Sequence, residues 1–107
     1  MNPNQAPLPA ELENLTDLVT YQPDKFSSKI IFASNNQKVM LFAFSAGQAL
    51  KTHTTPTPAL LIMLEGSCVF QINSIVQTLT AGTIISIPAH VPHALSALSN
   101  FKMILLR

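Results

Sequence analysis

Charged residues and long apolar runs are both scarce in this chain. Lys, Arg, Asp and Glu make up 10% of its 107 residues, whereas hydrophobic residues make up 48%. No stretch approaches the ~18 to 20 uninterrupted apolar residues that span a membrane as a helix. The first residues, MNPNQAPLPAELEN, lack the charged start and apolar middle of a signal peptide. These absences predict one domain without a membrane segment, and the cytoplasm is the simplest compartment.

Cysteines and carboxylates are equally rare. Cys68 is the only cysteine, so an intrachain disulfide is excluded. The sequence has no CxxC zinc pair and no glycine-rich phosphate loop. Glu65 is the only carboxylate after Asp24. Ser/His/Asp catalysis therefore lacks an aspartate in the body of the chain.

The few charges are unevenly distributed. Residues 1–24 hold four acids and no base, whereas residues 25–107 hold six bases against Glu65 alone. The bases are scattered rather than clustered among aromatic residues, which argues against nucleic-acid binding. We divide the chain into an N-terminal tail and arm, residues 1–24, and one domain, residues 25–107. We expect the acidic arm to dock on the basic body of its own chain or of a partner.

The N-terminal region shows two local patterns. Residues 1–10 hold three prolines, which predicts a mobile tail. In residues 10–19, AELENLTDLV, apolar residues recur at helical intervals and predict a short helix. An extended arm fits this segment equally well. The apolar positions are Leu12, Leu15, Leu18 and Val19.

From residue 29 onward the sequence is typical of β-structure. Short runs of branched and aromatic residues are separated by turn residues such as Asn35-Asn36, Glu65-Gly66 and Asn73-Ser74. Many short strands at this spacing predict an all-β sandwich or barrel, and no room is left for crossover helices. The runs are KIIFAS, KVMLFAFS, ALLIML, CVFQIN, TIISIP, HALSALS and FKMILL.

Two of these runs are apolar on both faces. ALLIML, residues 59–64, and VMLFAF, residues 39–44, show no alternation of apolar with polar side chains. A half-exposed strand would alternate, so the outer face of these strands must be covered by the arm or by a second subunit. The arm is too short to cover two such strands, and we therefore predict a homodimer.

All three glycines of the chain fall in two spaced motifs. The first motif places Gly47, His53, Thr55, Ala59 and Gly66 in order, and the second places Gly82, Pro88, His90, His93 and Ala97. This spacing, together with PAHVPHAL at residues 88–95, resembles the two motifs of the cupin family. The resemblance spans residues 47–97. It implies a double-stranded β-helix, the cupin jelly-roll barrel, over residues 25–107, with a pocket at one end.

The resemblance also implies a metal site, of which this chain keeps a part. In cupins with the full pattern, two histidines and a glutamate of the first motif and a histidine of the second hold a divalent metal. His53 and His93 are retained, whereas Thr55 and Ala59 replace the other two ligands. Two neutral imidazoles leave the charge of a metal uncompensated and its affinity low. The implied cofactor is at most one weakly bound divalent transition metal, such as Zn, Ni, Fe, Mn or Cu.

His90 has two interpretations. It can serve as a substitute third metal ligand beside His53 and His93. It can also fill a turn position where cupins usually have glycine, since histidine tolerates a positive φ better than most residues. We favour the turn.

Part of the predicted pocket lining follows from a hairpin model with its turn at residues 64–67. That turn would pair Leu61 with Phe70 and Ala59 with Ile72, all facing inward. Cys68 would lie roughly 13 Å along the strand from the level of Ala59, which makes it a core residue. Such a lining suits a small, mostly apolar ligand with a few polar anchors. The lining consists of His53, Thr55, Ala59, Leu61, Phe70, Ile72, His93 and Leu95.

Three functions are compatible with these residues. The first is a non-enzymatic cupin with a degenerate metal site that binds a small molecule or serves as an accessory protein. The second is a metal-dependent enzyme of dioxygenase or isomerase type that uses His53, His93 and His90. The third is a metal-free epimerase or lyase with His53 and His93 as acid and base. The missing carboxylates favour the first function. We expect no nucleic-acid or membrane partner. Whether the protein is an enzyme is left open.

Overall fold

A computed structural model describes residues 12–107 of the chain. The tail predicted for residues 1–10 lies outside this part. The described part begins with one 3-10 turn, η1, and continues with nine strands. These elements are η1 Leu15–Leu18, β1 Ser27–Ala33, β2 Lys38–Phe44, β3 Ala49–His53, β4 Ala59–Glu65, β5 Ser67–Ile72, β6 Ile75–Thr80, β7 Ile84–Ile87, β8 His93–Ala97 and β9 Phe101–Leu106. No helix among the described residues has the length and apolar character needed to cross a membrane.

The strands form two antiparallel sheets. One sheet has five strands in the order β1-β2-β9-β4-β7, and the other has four in the order β3-β8-β5-β6. Because side chains of a strand point alternately to opposite faces, every second residue of the inner strands reaches the space between the sheets. The predicted all-β jelly roll is therefore confirmed.

The core lies between the two sheets. Phe44 and Phe101 are fully buried there, with parallel rings 4.8 Å apart. Cys68 is also fully buried, with its Sγ 3.9 Å from the Sδ of Met63. Its predicted place in the core is confirmed, and burial raises the pKa of its thiol to about 11.

The hairpin model of β4 and β5 is wrong. Strand β4 pairs with β7 and β9, whereas β5 pairs with β6 and β8. The two strands are consecutive in the chain but belong to different sheets. Gly66, with φ 75°, carries the chain from one sheet to the other. The inward direction predicted for Leu61 and Phe70 is nevertheless found, because both strands direct these residues into the core.

The arm adopts little helix. The Asn14 side chain accepts a hydrogen bond from the backbone N–H of Thr16 and caps a single 3-10 turn at Leu15–Leu18. Val19 is extended, so the predicted helix is shorter than the apolar spacing indicates. Val19 is buried in a cluster with Leu41 and Ala43 on the outer face of the larger sheet. The side chains of Leu15, Leu18 and Tyr21 pack against this cluster.

Polar contacts also attach the arm to its own barrel. Tyr21 donates a hydrogen bond of 2.6 Å from its hydroxyl to the carboxylate of Glu65. The Lys102 ammonium donates to the carbonyl oxygen of Thr16 and lies 4.9 Å from the centre of the Tyr21 ring. The carbonyl oxygen of Gln22 accepts from the Ser45 hydroxyl and the Gln48 side-chain amide. The described part of the arm therefore packs on the barrel of the same chain, through apolar contacts and several hydrogen bonds.

Candidate functional site

His53 and His93 are neighbours at one end of the barrel. His53 ends β3 and His93 begins β8, and the two residues are paired across the β3–β8 ladder. Their ring centres are 4.3 Å apart. The ladder shifts register between Leu50 and His53. Residues that are forty positions apart in the sequence are thus brought side by side by one strand pairing.

Each imidazole is held by a backbone carbonyl two residues earlier in the chain. The Nδ1 of His53 lies 2.9 Å from the oxygen of Lys51, and the Nδ1 of His93 lies 2.9 Å from the oxygen of Val91. A carbonyl oxygen accepts but cannot donate, so each Nδ1 carries the hydrogen. In the neutral ring, Nε2 is then the nitrogen with a free lone pair.

The two rings differ in burial. His53 is exposed, whereas His93 is only 8% exposed and its ring centre lies 6.2 Å from that of Phe70. Among the described residues, no buried side-chain nitrogen or oxygen lacks a hydrogen-bond partner. Because the Nε2 of His93 makes no hydrogen bond within this part of the chain, it must reach solvent-accessible space. The site therefore offers one exposed and one recessed imidazole nitrogen.

The same row of the smaller sheet continues with two isoleucines. Ile72 pairs with His93 on one side and with Ile75 on the other. Ile75 is 58% exposed although it lies on the face that points toward the interior. We call His53, His93, Ile72 and Ile75 the mouth row. Ile75 was missed in the sequence because β6 was not predicted as a strand.

Thr55 and His90 hold the loops next to the mouth row together. The Thr55 side chain is buried and donates a hydrogen bond of 2.9 Å to the carbonyl oxygen of Thr57. The Thr55 carbonyl oxygen accepts a 2.8 Å hydrogen bond from the backbone N–H of His90. His90 has φ 65°, a conformation in which histidine is tolerated, and its side chain is exposed. This geometry supports the turn interpretation of His90.

The residues present do not fit a resident metal ion. Within residues 12–107, no group of three or more His, Cys, Asp or Glu side chains lies close enough together to hold one. The Thr55 hydroxyl is engaged by a carbonyl, and Ala59 offers no ligand atom. His53 and His93 remain as two neutral ligands, fewer than the three protein ligands of a typical catalytic zinc site.

The apolar lining predicted for the pocket belongs mostly to the packed core. Leu61 is 1% exposed and Phe70 is 0% exposed, so both side chains are enclosed by the core. Ala59 and Leu95 are buried in the same cluster, and Ile72 packs against it in part. Whether these residues line a ligand pocket stays a prediction. Among the predicted lining residues, His53 is exposed and Ile72 is partly exposed.

The sequence of the barrel matches a known protein family. The model of the cupin domain family matches residues 40–106. This chain belongs to the cupin family. No curated protein matches it.

Solved structures resemble this cupin over most of its length. A conserved protein of unknown function from Streptococcus pyogenes is 28% identical, with 91% of this chain and 85% of that chain covered and a TM-score of 0.84. A cupin 2 conserved barrel domain protein from Leptotrichia buccalis is 32% identical with a TM-score of 0.82, and the match covers 88% of this chain but only 46% of that one. A cupin superfamily protein from Desulfitobacterium hafniense is 21% identical, with 92% and 90% covered and a TM-score of 0.86, and shows the fold alone.

Proposed function

We propose that this cupin is a non-enzymatic binding or accessory protein that holds a small, mostly apolar molecule at the mouth row. The observation that carries the proposal is the fixed orientation of the two imidazoles. Both Nδ1 atoms are engaged by backbone carbonyls, so both Nε2 atoms are acceptors when the rings are neutral. Two acceptors side by side select a ligand with a hydrogen-bond donor, such as a hydroxyl group.

The surroundings of the imidazoles favour an apolar body for that ligand. Ile72 and Ile75 continue the row beyond His93, and Ile75 is largely exposed. A few polar anchors beside apolar side chains are typical of small-molecule sites. None of the four residues of the mouth row has a carboxylate, which argues against metal-dependent chemistry of dioxygenase or isomerase type. An enzyme with that chemistry is the alternative function.

A matched pair of probes tests the proposal. Phenol and toluene have similar size, but only phenol has a hydroxyl group that can donate to Nε2. We expect phenol to shift the NMR signals of the Ile72 and Ile75 methyl groups and of the His53 and His93 Nε2 atoms, with at least about tenfold weaker binding of toluene. Failure of phenol to shift these signals, or equal binding of both probes, would contradict the proposal.

Variants identify the anchor. His93→Leu should abolish the preference for phenol over toluene, because leucine carries no hydrogen-bond acceptor. His90→Asn is the matched control, since asparagine tolerates a positive φ and His90 lies outside the mouth row. Metal analysis of protein made without chelators or a histidine tag tests the alternative: close to one divalent metal per chain, lost in His93→Leu, would favour the metal-dependent enzyme.

A further inference from the structure

Two cationic residues meet at one end of the larger sheet, although the bases of the chain are scattered in its sequence. Lys38 begins β2, and Arg107 directly follows β9. The backbone N–H of Lys38 donates a 2.6 Å hydrogen bond to the carbonyl oxygen of Arg107, and the N–H of Arg107 returns a 3.0 Å bond. Residues that exchange both bonds lie directly opposite each other in an antiparallel pair, so the two side chains leave the same face of the sheet.

The described carboxylate side chains do not line the space beside this pair of cations. Glu65, the only carboxylate after Asp24, lies at the other end of β4 and accepts a hydrogen bond from Tyr21. Even an α-carboxylate on Arg107 would balance only one of the two positive charges. Like charges directly opposite each other destabilise a sheet. The pair therefore costs stability in the free protein, and a bound anion would remove that cost.

A polar cleft of about 280 Å³ lies beside the two cations. One wall is the turn between β1 and β2, which is closed by a 2.9 Å hydrogen bond from the backbone N–H of Ser34 to the carbonyl oxygen of Gln37. Another wall is the loop between β3 and β4, and all lining side chains except that of Pro56 can donate a hydrogen bond. Besides the two cations, the donors are Ser34, Asn35, Asn36, Gln37 and Thr57.

A second groove, of about 420 Å³, continues from the cleft. Asn36, Gln37, Thr57 and Arg107 line both spaces. Beyond these shared residues the groove is lined mainly by apolar side chains, among them Pro58, Leu60 and Leu106. A cationic cleft that opens into an apolar groove matches a ligand with an anionic group at one end and an apolar body at the other.

We propose that the cleft binds the phosphate group of a small phosphate monoester, whose organic part lies in the second groove. A guanidinium offers a planar fork of N–H donors that fits two phosphate oxygens, and an ammonium adds a point charge. A phosphate monoester carries up to two negative charges and three acceptor oxygens, which matches two cations, whereas a carboxylate carries one charge. The cleft and the mouth row share no residue, so this site does not depend on the function proposed above.

NMR titration of the full chain at about pH 8, where a phosphate monoester is a dianion, tests the site. Phenyl phosphate should shift the side-chain amide signals of Asn35, Asn36 and Gln37 and saturate the shifts below about 10 mM. Inorganic phosphate should shift the same signals with at least about tenfold weaker binding, because it leaves the apolar groove empty. Benzyl alcohol, which has the ring without the charge, should leave them unchanged.

Variants identify the charges that hold the phosphate. Arg107→Gln and Lys38→Gln should each weaken the binding of phenyl phosphate at least about tenfold, and Arg107→Lys should retain more binding than Arg107→Gln. Lys25→Gln is the matched control, because it removes one exposed positive charge just before β1, at the opposite end of the sheet. Without phosphate, Lys38→Gln should unfold at no lower urea concentration than the wild type, because it ends the repulsion between like charges.

Four results would overturn the proposal. One is the absence of amide shifts with phenyl phosphate, and a second is shifts confined to the mouth row, which would place the phosphate at the imidazoles. A third is equal weakening by Lys25→Gln, which would mean that the overall positive charge attracts the anion. The fourth is a lower unfolding midpoint for Lys38→Gln, which would mean that this lysine supports the fold instead of a ligand.

Discussion

Gly66 shows how one residue sets the path of the chain between the sheets. Its φ is 75°, and a Cβ at this position would overlap the carbonyl oxygen of Asn100 and lie 2.7 Å from the Cβ of Phe101. Gly82 has a similar φ of 86° but open space around it. Substitution at either glycine would cause backbone strain, whereas steric overlap would arise only at Gly66. Comparing the two positions therefore separates the cost of strain from the cost of overlap.

We predict that Gly66→Ala is far more destabilising than Gly82→Ala. The second change costs the strain of a left-handed backbone, about 1 to 2 kcal/mol. The first adds overpacking against backbone and should cost at least about 3 kcal/mol in total. Denaturant unfolding of both variants measures the difference. Equal costs would mean that the strand β9 yields to the added methyl group.

Individual site residues were predictable to different degrees. His53 and His93 came from motif spacing, and the structure places them in contact because β3 and β8 are paired. Ile75 carries no such signal, since its place in the mouth row depends on a strand pairing beyond Ile72. Leu61 and Phe70 were correctly predicted to face inward, but facing inward does not distinguish a pocket wall from a packed core.

At the level of elements, the missed strands share one property. Strands β3 and β6 lie at the two edges of the smaller sheet, and most of their residues are exposed. Exposed edge strands need no apolar run, so ALKTH and IVQTLT did not stand out in the sequence. The edge strands of the larger sheet, β1 and β7, were predicted because KIIFAS and TIISIP contain apolar runs.

The arm is the element whose docking can be followed most directly. The chain has one tyrosine and no tryptophan, so tyrosinate absorbance reports Tyr21 alone. Burial, followed by the hydrogen bond to Glu65 and the charge of that carboxylate, raises the pKa of Tyr21 above its ordinary value of 10.0. The hydroxyl therefore keeps its proton in the docked arm at a pH where a free tyrosine has lost it.

We predict that tyrosinate absorbance of the folded protein appears only well above pH 10, and that Glu65→Gln lowers the pKa of Tyr21. The raised pKa stabilises the fold fully below pH 10, and this contribution is lost as the pH rises through the folded-state value. Spectrophotometric titration of wild type, variant and denatured chain provides the measurement. An arm that titrates near pH 10 in the folded wild type would show that it does not dock as described.

At the scale of the whole molecule, local patterns predicted strands but not their partners. The short turn between β4 and β5 suggested a hairpin, yet each strand pairs with distant ones. A jelly roll distributes consecutive strands between two sheets, and the choice is made by the core as a whole. The motif spacing supplied this global information, which is why the family resemblance predicted the topology better than the turn did.

Cys68 offers a test of the closed core, because it is the only cysteine and is fully buried in β5. Its thiol pKa is raised from 9.0 to about 11 by burial, so the folded state binds the proton more tightly than the unfolded state. We therefore predict that the stability contribution of Cys68 is present below pH 9 and is lost as the pH rises toward 11. Cys68→Ala should lack this loss while other titrations remain.

At pH 8, DTNB should label the native wild type only through opening of the barrel, at a rate that rises with denaturant. Labelling as fast as that of an exposed thiol would mean that solvent reaches the space between the sheets, where the structure has packed side chains.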